Sequence, residues 1–260
     1  MKLKHSDWCY LSSKSIILIN KFPKLEYYKS LLSISPNFFI EQIKKEVDIS
    51  EETNELEDIL NIDWKKNLSL FEKKIPLKYI FSYFDIERNY YKKINNLPDE
   101  KRINILKEKF ENEINLFKFS PFLINLIKLE IDFYNIESFL KHKYFDTPFN
   151  FISSGYFSYN KFKNFEKESL ENFIEFVNSN YKGFIEKNLI EFLKYFDKKK
   201  DEYFIKILKN SKYFVFGPEI VFSYLKLKDY HYINLNTIYN GLIYNQPSDL
   251  ILRRLRVING

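Results

Sequence analysis

The chain has 260 residues with 45% hydrophobic and 29% charged positions, a globular balance long enough to bury a sizeable core and unlike that of a disordered segment. A single cysteine, Cys9, excludes an intramolecular disulfide and fits a reducing compartment, and with His5, His142 and His231 far apart no zinc-ligand spacing exists. The formal charge of +6 is spread among interspersed acids, as in Glu108 to Glu113, so the lysines read as a solvated helical surface and not as a binding patch. Alanine is absent while Phe and Tyr number 27 and 20, so large side chains replace the small helix formers.

From the N-terminus, Met1 to Tyr10 holds charges but no apolar run of signal-peptide length. No stretch of the sequence approaches the roughly 20 apolar residues that span a bilayer, so any membrane role is expected to be peripheral. Apolar residues recur at spacings of three and four nearly throughout, and two-residue alternation is rare, which predicts helices and no sheet. Ser35-Pro36 marks a helix start, the serine capping and the proline filling the first turn, where its missing N–H has no intrahelical partner anyway. The acidic stretch Asp48 to Asp58 reads as an exposed helix or mobile linker. Leu97-Pro98-Asp99-Glu100 and Ser120-Pro121 open two further helices. After Pro121, Phe122, Leu123, Leu126, Ile127, Ile131, Ile136, Phe139 and Leu140 make an apolar surface wider than one stripe, predicting a helix buried on several sides. Asn150 to Asn160 reads as a connection, with Ser153, Ser154 and Gly155 as its turn. Amphipathic helices follow from Phe165 to Ser211, with interruptions expected at Lys182-Gly183 and across Asp197 to Asp201. Gly217-Pro218-Glu219 then starts a last long helix carrying Ile220, Val221, Tyr224, Leu225 and Leu227.

An internal repeat is visible. Leu129 to Ile136 aligns with Lys228 to Leu235, both in the second half of a long helix that opens with proline, and a degraded third copy lies at Tyr10 to Lys14. In the middle copy Asp132 and Asn135 are three apart, so they share a helix face. Two readings stand for this pair: polar groups bonded to the adjoining layer, or ordinary helix-surface polarity. Gly155 and Gly217 are expected to serve turns or close packing, and His231 to be a partly buried packing residue. Cys9, beside Trp8, has no local histidine and reads poorly as a nucleophile. No phosphate loop, Gly-x-Ser-x-Gly or His-Glu-x-x-His run occurs, so the sequence presents no catalytic motif and no cofactor motif.

Gly217, Pro218, Glu219, Ile220, Tyr224, Lys228-Asp229, Asn234-Leu235, Ile238, Gly241, Ile251 and Arg254-Leu255 occur in an order and spacing that resemble the C-terminal block of a family of V/A-type ATPase stalk components. This is the AC39-like family, which holds the C-type components of V-type ATP synthases and the d-type component of the eukaryotic V-ATPase. Glu130-Ile131-Asp132 with Asn135-Ile136, and the turn Ser154 to Ser158 around Gly155, are similar to a second block of that family. The likeness runs from Asp99 to Arg256. Asn236 stands where the family has an arginine, Ser138 or Lys141 occupies the arginine position of the middle copy, and His231 replaces an acid. Ser12 and Lys14 stand for asparagine and arginine in the N-terminal copy. The resemblance implies an all-α, funnel-shaped stack of related three-helix layers forming one domain over residues 1–260, with layers near 1–97, 98–164 and 165–260. It implies a non-enzymatic adapter on the cytoplasmic face of the membrane, whose partners are the central shaft subunits and the membrane proteolipid ring, with no cofactor. Two other readings stay open at this stage. A basic helical protein could bind nucleic acid, although Arg253-Arg254-Leu255-Arg256 is its nearest basic run and the interspersed acids argue against it. A diverged helical scaffold without the rotor role is the other.

Overall fold

The computed structural model describes residues 5–49, 53–72, 80, 82–84, 87, 97–214 and 217–259. All regular structure among these residues is helical, apart from one isolated parallel bridge between Lys24 and Asn259. The helix starts follow the expected chemistry. Ser35 accepts from the Phe38 amide and Ser120 from the Leu123 amide, in each case one residue before a proline at the first helical position. Pro98 departs by one residue: it is itself the cap, and the helix begins at Asp99.

The chain forms two compact units. One comprises Met1–Leu77 with Asp201–Gly260, the other Lys78–Lys200. In the first, α1 (His5–Asn20), α2 (Leu25–Leu31), α3 (Pro36–Val47), α4 (Leu56–Glu72) and α12 (Ser248–Arg254) all pack on α11 (Pro218–Ile243). Helix α11 buries Ile220, Val221, Leu225, Leu227, Leu235 and Ile238 on several sides, so it is the core of that unit rather than an amphipathic cover. In the second unit, α6 (Pro121–Phe145) has the same character and packs on α5 (Asp99–Leu116) and α8 (Leu170–Asn180), with α7 (Tyr159–Phe165) against α8. Aromatic rings fill its interior: Phe133 lies 4.3 Å from Phe184 and Phe139 4.5 Å from Phe173, ring centre to ring centre.

One of the expectations about the chain's interruptions changes, and another is refined. The acidic stretch Asp48 to Asp58 contains the left-handed cap of α3 at Asp48 and the first turn of α4, where Leu56 is buried; residues 50–52 lie outside the described ones. The charged run Asp197 to Asp201 does not interrupt the chain. Helix α10 (Phe196–Asn210) passes straight through it, and the break falls at Tyr195, after α9 (Leu189–Lys194). Charge alone does not end a helix. Here Lys200 pairs with Asp197 one turn earlier at 3.3 Å, which supports the helical conformation. The turn at Lys182-Gly183 is where expected, with φ of 51° and 71°.

Candidate functional site

The polar residues singled out by the repeat are buried joints between segments. Asn135 on α6 has no exposed surface. Its side-chain amide accepts from the Ile152 N–H and donates to the Ile152 carbonyl, both at 2.8 Å, so one side chain satisfies both main-chain groups of a residue in the connection after α6. Asp132, one turn earlier on the same face, accepts from the amides of Tyr156 at 3.0 Å and Phe157 at 3.1 Å and from the Tyr181 hydroxyl at 2.6 Å. Burial raises the Asp132 pKa, and these three donors counter the rise. The turn reaches this carboxylate because position 155 is glycine: a Cβ there would stand 2.2 Å from Asp132 Oδ1. Ser138 accepts from the Asn150 N–H at 2.9 Å, fastening the same connection one turn further along.

The C-terminal copy repeats this device. Asn234 on α11 accepts from the Arg256 N–H and donates to the Arg256 carbonyl, each at 2.8 Å. His231, three residues earlier as Asp132 is to Asn135, has lost the carboxylate and meets a different partner, the Tyr28 hydroxyl on α2 at 2.8 Å. Burial, with Lys228 nearby, lowers the His231 pKa to about 3, so the ring is neutral and bonds as an uncharged pair with the tyrosine. Gly241 allows α12 to close on α11: a Cβ would come within 2.4 Å of Ile251 Cδ1. Gly217 caps α11 with φ 156° and ψ 172°, a conformation that side chains rarely adopt, while the Glu219 carboxylate folds back over it and Pro218 takes the first helical position. The N-terminal copy also makes its joint, since Ser12 is buried and accepts from the Gly217 amide at 3.3 Å. Arg254 is exposed at the end of α12, and Arg256 forms an ion pair in which its Nε and Nη2 both lie 2.9 Å from Asp201 Oδ2. Cys9 is partly buried on α1.

Three further joints have no counterpart in the sequence reading. Asn178 on α8 accepts from the Ile185 N–H at 2.7 Å and donates to its carbonyl at 3.0 Å, the same bidentate arrangement as Asn135 and Asn234. The signal that would have found it is an asparagine just ahead of the Lys182-Gly183 turn, where such a side chain substitutes for lost helix bonds. On α4, Asp63 receives Lys228 at 2.9 Å and the Tyr232 hydroxyl at 2.8 Å, while Asn67 donates to Asp63 and accepts from the Tyr224 hydroxyl, tying α4 to α11. In the second unit Lys109 on α5 lies 3.2 Å from Glu113, 3.5 Å from Glu130 and 4.0 Å from Glu87. Burial pushes the Glu113 carboxyl up to about 8, with Lys109 opposing and the two other carboxylates adding to the rise.

What this set of side chains does is hold helices and connections in fixed register. The two clamp asparagines of the repeat, Asn135 on α6 and Asn234 on α11, both fall inside the segment that matches a known family. Residues 83–254, well over half of the chain, match the model of the ATP synthase (C/AC39) subunit. The chain belongs to that family. Membership makes it a component of the V/A-type ATPase stalk, and the family segment contains Asp132, Asn135, Gly155, Gly217, Pro218, Glu219, Asn234, Gly241 and Arg254. Ser12, Tyr28 and Asp63, which anchor α11 from the N-terminal side, precede the segment. No curated protein matches the chain. Among the described residues no helix is long and apolar enough to cross a membrane, and no group of His, Cys, Asp and Glu side chains is placed to hold a metal.

Proposed function

We propose that this family member is a non-catalytic adapter of the central stalk, coupling the rotor shaft to the membrane proteolipid ring of a rotary V/A-type ATPase. The carrying observation is the family match, which includes both clamp asparagines, Asn135 and Asn234. The physical argument is mechanical. An adapter that transmits torque needs helices that do not slide, and close-packed interiors pass strain on instead of absorbing it. Buried side chains that bind both main-chain groups of a neighbouring segment add directional constraints to that packing, because slippage would leave each group unsatisfied. In this reading the chain sits on the cytoplasmic face as a peripheral component without a cofactor. The motif positions from Asp132 to Arg254 then act as framework, with ATP hydrolysis and ion movement in other subunits.

The test is isolation of the ATPase from native membranes in mild detergent, with a tag on this chain. Shaft subunits and proteolipid should co-elute in fixed proportion and survive nuclease treatment. Elution of the chain alone, or its release by nuclease, overturns the proposal.

A further inference from the structure

We draw no further inference here: the strongest candidate, the partly exposed aromatic patch of Phe149 and Phe151 on the connection between α6 and α7 with Tyr159 at the start of α7, carries nothing because nothing in the structure shows what covers it.

Discussion

At the scale of single residues, the structure turns on side chains that replace missing main-chain partners. Asn135 is legible in the sequence as one of a polar pair on an apolar helix, but Ile152 as its partner is not, because nothing local ties residue 135 to residue 152. Replacing Asn135 with alanine orphans a buried N–H and C=O together, so Asn135→Ala should lower the unfolding free energy by about 2–3 kcal/mol in urea titrations. Asn234→Ala should cost less, since its partner Arg256 is partly exposed and water can take over the vacated bonds. The glycine beside Asp132 gives a sharper test. Gly155→Ala places a methyl group against the Asp132 carboxylate and should destabilise by roughly 1–3 kcal/mol, whereas in an Asp132→Ala background most of that penalty should vanish. Additive losses in the double variant would show that the close approach is not the cause. His231 predicts the acid limb of stability. Its folded pKa of about 3 lies below the usual 6.5, so its contribution is complete above pH 6.5 and is lost as pH falls toward 3. His231→Gln should flatten the dependence of Tm on pH over that interval.

At the scale of elements, proline and serine placed the helix starts correctly because capping is local chemistry, decided within four residues. The run Asp197 to Asp201 misleads for a related reason. Dense charge resembles a linker in one dimension, yet on α10 it lies along a helix where Asp197 and Lys200 pair and Asp201 meets Arg256. Helix α5 carries a pH prediction of opposite sign to that of His231. Glu113 has a folded pKa of about 8 against an ordinary 4.5, so its contribution is complete below pH 4.5 and declines as pH rises through 8. Thermal melts at about pH 6 and about pH 9, either side of that folded value, should therefore differ, with the lower Tm in the alkaline sample. Glu113→Gln, which keeps the shape without the titration, should reduce that difference, and an unchanged pH profile would place the titrating group elsewhere.

At the scale of the whole molecule, the second unit is one continuous segment, Lys78–Lys200, whereas the first is assembled from both ends of the chain. The joints from Asp132 to Tyr181 and from Asn178 to Ile185, and the aromatic core around Phe139, are all internal to the continuous segment. Residues 78–200 expressed alone should thus give a helical circular-dichroism spectrum and a cooperative thermal transition. Residues 201–260 alone should not, because α11 buries side chains on several sides and its partners α1 to α4 lie near the other end of the chain.

The sequence by itself determined the helical class, the serine caps at Ser35 and Ser120, the two central helices and the repeated Asn positions. Each of these rests on spacing or on chemistry within a turn or two, which a linear reading captures. Only the tertiary structure decided what the repeated residues do. It paired Asn234 with Arg256, His231 with Tyr28 across 203 positions, and Ser12 with Gly217, and it revealed Asn178 as a further clamp. The reason is that a buried polar group must be satisfied, but the identity of its partner depends on which segments the hydrophobic core brings together, and that choice is made over the whole chain.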